Sequence, residues 1–130
     1  MLERYFFDTS AFLAVIRNEA QRGSVEALIA SLRRSQRVTS VLVAYELYRG
    51  VHPNSTRRKS QLKELNAALH DFTLKPVHEA QAMKAASFFY HSKGDIDPIL
   101  AAQCVDGRFT LVTTNPKDFE RVPGIRMHAL

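Results

Sequence analysis

The stretch that decides the fold is Arg4-Tyr5-Phe6-Phe7-Asp8-Thr9-Ser10, followed at once by the apolar run from Ala11 to Ile16. Three consecutive aromatics bounded by turn formers read as a short buried strand. Asp, Thr and Ser then supply the residue types that open helices. The stretch predicts a strand ending at Asp8, a tight turn, and a helix beginning near Thr9 or Ser10. In an open α/β sheet, ligands sit in the crevice beyond the carboxyl ends of the strands. An acid that closes the first strand is therefore where chemistry is expected. It is equally where a helix cap is expected, and the stretch alone does not separate the two.

Working outward, the short first helix breaks near Asn18, and a second fits Ser24 to Arg34, with Val25, Leu28, Ile29 and Leu32 at helical spacing. Arg33, Arg34 and Arg37 close it, where cations suit the negative end of the helix dipole. Arg37 to Thr39 reads as a strand, Ser40 as an N-cap, and Val41 to Arg49 as a helix stopped by Gly50 and Pro53. Glu46 lies in that helix among Val43, Tyr45, Leu47 and Tyr48, so it belongs to the edge of the core or to a site. Both tyrosines are expected to pack in the core, with aromatic stacking on a ligand as the alternative reading.

Beyond the polar, basic joint from Asn54 to Lys59, a helix is expected from Ser60 to His70 and a strand from Asp71 to Leu74. A helix from Val77 to His91 follows, with Ala80, Met83, Ala86 and Phe89 or Tyr90 on its core face. Asp95-Ile96-Asp97-Pro98 opens the next helix, with Asp95 or Asp97 as its cap and Pro98 in the first turn, where a missing N–H costs nothing. Gly107 ends it. Phe109 to Thr113 is the clearest strand and runs into Thr114-Asn115-Pro116-Lys117-Asp118; Ile125 to Leu130 reads as an edge strand. Helices alternating with short strands predict one domain over residues 1–130. Its fold class is α/β, a three-layer sandwich with a mostly parallel central sheet of about five strands.

Composition narrows the function classes. Lys plus Arg exceeds Asp plus Glu, 18 to 13, leaving a formal charge of +5 that suits an anionic partner such as nucleic acid. Cys104 is the single cysteine, which excludes an internal disulfide and a thiolate metal cluster and reads as packing. No apolar run has the length of a membrane span, and the start of the chain lacks the pattern of a signal peptide. The expectation is a soluble, cytoplasmic protein with no membrane partner.

Asp8 closes one predicted parallel strand and Asn115 follows another, and parallel strands put their carboxyl ends on one rim. Asp97 opens a helix beside that rim, Asp118 lies a turn beyond Asn115, and Glu46 sits on a helix that begins just after a strand. Carboxylates brought together there repel by about 4 kcal/mol at 4 Å and an effective dielectric near 20, so they need a cation. The five histidines are scattered without ligand spacing. Oxygen-only ligation points to Mg2+, with Mn2+ possible. Such a cluster suits in-line attack of water on a phosphodiester.

The motifs "FFDTSAF", "TSVLVAYELYRGV", "GDIDPILAAQ" and "LVTTNPKDFERVPGI", in order across the whole chain, resemble those of PIN domains, and among them the VapC-type toxin ribonucleases. The resemblance implies that Asp8, Glu46 and Asp97 are the first three acids, that Asn115 and Asp118 share the fourth region, and that Thr9 or Ser10 is the hydroxyl residue near the metal. Asp8, Glu46, Asp97 and Asp118 would be the metal ligands. It further implies Mg2+-dependent endonucleolytic cleavage of RNA, neutralisation by a cognate antitoxin, and a homodimer formed through the outer helices. Asp95 is an extra carboxylate relative to the pattern and is read as the helix cap. The rivals are a haloacid-dehalogenase-like phosphohydrolase, which would carry a second Asp where this chain has Ser10, and a PIN-like binding module without catalysis.

Overall fold

The computed structural model describes residues 2–88 and 96–130. Five short strands form one sheet in the order β3-β2-β1-β4-β5: β1 (Tyr5–Phe7), β2 (Arg37–Ser40), β3 (Thr73–Lys75), β4 (Thr110–Val112) and β5 (Arg126–Met127). Every pairing is parallel, with Phe6 opposite Val38 on one side and Leu111 on the other. The connecting helices are α1 (Thr9–Ile16), α2 (Arg22–Ser31), α3 (Val41–Arg49), α4 (Arg58–His70), α5 (Glu79–Ala86) and α6 (Asp97–Gly107). None of the described helices is long and apolar enough to cross a membrane.

The chain steps from β1 to β2 to β3 in one direction, then returns past β1 to β4. Right-handed crossovers place α1–α4 on one face of the sheet and α5 and α6 on the other. The packing agrees: α1 meets α2 and α3, α3 meets α4, and α5 meets α6. The direction of winding reverses between β1 and β4, so the crevice beyond these two strands is the place for a ligand.

The core explains why β1 anchors the molecule. Phe6 and Phe7 are buried on opposite sides of the sheet. Phe7 meets Phe72 at 5.1 Å between ring centroids, and Phe72 meets Phe12 at 4.8 Å, which ties β1 to α1 and to the segment before β3. Phe6 stacks on Phe109 at 6.0 Å, toward α6. Such pairs contribute roughly 0.5–1.5 kcal/mol each beyond burial. Gly107, the last residue of α6, fits because Phe109 lies over it; a Cβ there would meet the Phe109 ring at 2.2 Å.

Several element ends differ from the sequence reading. Helix α2 begins two residues before Ser24 and stops at Ser31, and Arg34–Gln36 form a 3-10 turn. The arginines there still serve helix ends: Arg37 donates to the Leu32 carbonyl at 2.8 Å and Arg34 to that of His70 at 3.0 Å. Helix α4 takes in Arg58 and Lys59 from the polar joint. Asp71 continues past α4 as its C-cap, so β3 starts only at Thr73. Helix α5 ends at Ala86, capped at Ser87, and the expected extension to His91 runs beyond the described residues. Strand β5 keeps its place at the sheet edge but spans only Arg126–Met127.

Candidate active site

Asp8 follows β1 directly. Its backbone is extended, and its N–H donates to the Val112 carbonyl at 3.2 Å, so it is fixed where β1 and β4 end. Its carboxylate Oδ1 accepts from the Ala11 N–H at 3.0 Å and the Ser10 hydroxyl at 2.6 Å. Asp8 is thus the N-cap of α1. The two readings of this residue are compatible, because a cap holds the carboxylate at the head of the crevice. The side chain is buried, 4% exposed. Burial pushes its pKa above the ordinary range, while hydrogen bonds from the Ser10 and Thr113 hydroxyls and from the Ala11 and Ser10 N–H groups pull the other way without cancelling it.

Ser10 joins the two strand ends. Its hydroxyl lies 3.2 Å from that of Thr113 and accepts from the Thr114 N–H at 3.0 Å. Thr113 Oγ1 accepts from the Asn115 N–H at 3.1 Å. The backbone after β4 is pinned by the helix that follows β1.

Glu46 reaches the same rim from α3, whose start is set by Ser40: its side chain accepts from the Leu42 N–H at 3.1 Å. Glu46 is half-buried, and Thr9 Oγ1 donates to its Oε1 at 2.5 Å. The first residues of α1 therefore divide their hydroxyls, Ser10 to Asp8 and Thr9 to Glu46. A cavity of about 480 Å3 opens beside this pair between α1, α3 and α4, walled by Leu13, Leu47 and Leu65. Arg57 lines it too and stands 3.9 Å from Glu64.

Asp97 is the first residue of α6 and is half-buried. Helix α6 feeds β4 and runs against the strand direction, which puts its first turn on the carboxyl rim. Positions 97, 101 and 104 fall on one helix stripe. Cys104 lies within electrostatic reach of Asp8: burial first, then the Asp8 charge, raises its thiol pKa well above normal, as suits inert packing. The N-cap position of α6 belongs to Ile96, with no side-chain cap bond, so Asp97 is not the cap, and Pro98 sits in the first turn. The expected alternative, Asp95, lies outside the described residues.

Asn115 and Asp118 bound a 3-10 turn after β4, both exposed. Asn115 contributes its N–H to Thr113, and Asp118 donates its own N–H to the Asn115 carbonyl at 3.1 Å. Among the described residues, no three His, Cys, Asp or Glu side chains are gathered closely enough to hold a metal on their own. The donors at the rim are all oxygens, from Asp8, Thr9, Ser10, Glu46, Asp97 and Thr113. That set fits a small hard cation of the Mg2+ kind, which uses one or two carboxylates and keeps waters for the rest of its shell.

Thr113 was not foreseen as part of the site; its signal was its position as the first polar residue after Leu111-Val112. Tyr45 was expected in the core and is instead 57% exposed. Tyr48 is half-buried and points its hydroxyl at Asn66 of α4, 3.4 Å away.

Solved structures share this architecture across nearly the whole chain. DNA-bound VapBC from Salmonella typhimurium superposes with a TM-score of 0.80 at 20% identity, covering 98% of each chain. FitAcB from Neisseria gonorrhoeae gives 0.81 at 19% identity over 96% of each chain. A toxin–antitoxin complex from Klebsiella pneumoniae gives 0.70 at 23% identity, covering 93% of this chain and 94% of that one. No curated protein matches the sequence. The PIN domain family matches residues 5–125, through both strands that carry the site, and the chain belongs to that family.

Proposed function

We propose that the protein is a metal-dependent endoribonuclease of the VapC type, the toxin of a toxin–antitoxin pair. The observation that carries this reading is the buried Asp8 carboxylate, held by Ser10 and Ala11 at the reversal point of a parallel sheet, with the Thr9–Glu46 pair beside it. Keeping an acid buried at a strand end is costly unless it is used.

In this reading Asp8, Glu46, Asp97 and Asp118 would hold the cation. When present, Mg2+ or Mn2+ would polarise the phosphoryl oxygen and lower the pKa of a bound water. The chain's own residues do the rest. Ser10 and Thr113 fix the direction of the Asp8 carboxylate. Thr9 holds Glu46 in reach of the scissile phosphate. Asn115 sits on the exposed lip, where a passing strand meets it. The charge of +5 favours a polyanion over a small phosphate ester.

The partner reading draws on the solved relatives. The Klebsiella pneumoniae structure is a toxin–antitoxin complex and the Salmonella typhimurium one is VapBC bound to DNA. By analogy this chain pairs with a cognate antitoxin; its homodimer and its action in the cytoplasm are carried by the family resemblance of the sequence alone. Incubating the purified chain with labelled single-stranded RNA and with DNA of the same sequence tests the substrate assignment. Internal cuts in RNA alone are the expected result; cutting of DNA with RNA left intact would reject it.

A further inference from the structure

The turn that follows β4 displays a lysine that the proposed metal site does not use. Pro116–Asp118 form a 3-10 turn, and the buried side chains of Phe119 and Val122 fasten it to the core. Its backbone is closed on itself. The Asp118 N–H donates to the Asn115 carbonyl at 3.1 Å, and the Phe119 and Glu120 N–H groups donate to that of Pro116 at 3.0 and 3.1 Å. Two hydrogen bonds join this segment to the acid at the strand end: the Ser10 hydroxyl donates to Asp8 at 2.6 Å and accepts from the Thr114 N–H at 3.0 Å. Lys117 therefore stands on a fixed turn, three residues from that junction.

Lys117 is exposed. Successive residues of a 3-10 turn point about 120° apart, so Lys117 and Asp118 leave the turn in different directions. Among the described residues the ion pairs are Arg22–Glu26 and Arg57–Glu64, so neither Asp118 nor Glu120 neutralises the ammonium. The turn is also separate from the outer helices through which the family resemblance implies a dimer. A lysine is a compact point charge that holds a phosphate without demanding one orientation, which suits a flexible strand. The acids of the rim repel a polyanion, and a cation on the lip counters that repulsion. We infer that Lys117 contacts a backbone phosphate of the RNA strand beside the scissile one, and so retains the strand where Asn115 meets it. Lys117 is then a binding residue that takes no part in bond cleavage. The identity of the strand rests on the nuclease reading above; the placement of the cation rests on the turn.

The test measures binding of a short, unstructured, fluorescein-labelled RNA to the intact chain in EDTA over a series of salt concentrations. Cleavage in Mg2+ is followed separately. Lys117→Gln should weaken binding by about two- to fivefold, the worth of one exposed ion pair. It should also lower the slope of log affinity against log salt by about 0.7, the share of one phosphate of a single strand. Lys117→Arg should keep both the affinity and the slope. Arg33→Gln removes an equally exposed cation ahead of β2, at the amino end of the sheet, and should leave the slope unchanged. In turnover the Lys117→Gln loss should fall in KM and not in kcat, with an unchanged midpoint of urea unfolding. A wild-type slope in Lys117→Gln, or an equal drop in Arg33→Gln, would overturn the contact. So would a loss confined to kcat, which would move Lys117 into the chemical step. If wild type cleaves RNA and Lys117 is irrelevant, only the contact falls. If wild type binds RNA through Lys117 and cleaves none, only the nuclease reading falls. If wild type neither binds nor cleaves RNA, both fall.

Discussion

Thr9 and Glu46, 37 positions apart in sequence, share a 2.5 Å hydrogen bond that ties the first turn of α1 to the middle of α3. The bond converts a helix-surface glutamate into a positioned acid. Thr9→Val keeps the shape and removes the donor. We expect kcat/KM for RNA cleavage to fall by about tenfold, the worth of one hydrogen bond to a charged group. Steady-state kinetics on the variant check this, and a rate equal to wild type would remove Glu46 orientation from the mechanism.

Ser10→Ala breaks a junction and not a single bond. It strips a donor from Asp8 and leaves the Thr114 N–H without its acceptor. A loss of about 1–3 kcal/mol in urea unfolding is expected, the cost of unsatisfied buried polar groups. A midpoint shift near zero would mean that the loop after β4 is held by other contacts.

Asp8 gives the stability curve a definite sign. Burial raises its pKa in the folded chain above the unfolded value. Between those two values the folded state binds more protons than the unfolded one, so stability falls as pH rises through that window. The contribution is complete below the unfolded pKa and is lost above the folded one. Asn is an equally good N-cap and carries no charge. In EDTA, Asp8→Asn should therefore be more stable than wild type at pH 7, with the gain shrinking on acidification below the ordinary Asp range. Chemical denaturation at pH 7 and pH 3.5 measures it. A variant less stable than wild type at pH 7 would show that the charge is well accommodated in the fold.

Gly107→Ala places a methyl group against the Phe109 ring, which is itself pinned between Phe6 and the Arg4 guanidinium. Overpacking of this kind costs about 1–3 kcal/mol. Thermal unfolding of the variant should show that loss, and an unchanged midpoint would mean the ring moves aside freely.

Much of the molecule was legible because local and global signals agree. The aromatic triplet before Asp8 could only be a buried strand, and Ser40 before an apolar run is a cap in the structure as in the sequence. The PIN resemblance and the parallel five-stranded sheet were both borne out. The misses have physical causes. Helix α6 has Ile96 at its N-cap position and Pro98 in its first turn, so Asp97 is not its cap, while the favoured cap, Asp95, lies outside the described residues. Tyr45 looked like core because aromatics usually bury, but its helix phase puts it opposite Val43 and Leu47, and Arg49 offsets its exposure. Thr113 escaped because a β-former at a strand end carries no periodic mark. Its role appears only when β1 and β4 are paired, a contact between residues more than a hundred positions apart.

The central claim is that Asp8 is the acid around which an RNA-cleaving metal site is assembled. Its most direct test compares wild type and Asp8→Asn on single-stranded RNA in Mg2+, in Mn2+ and in EDTA, after circular dichroism confirms that both chains are folded. The account predicts internal cleavage by wild type in either metal, none in EDTA, and at least a hundredfold loss in Asp8→Asn, on the order of 3 kcal/mol of barrier. Cleavage that persists in EDTA, or an Asp8→Asn chain as active as wild type, would contradict it.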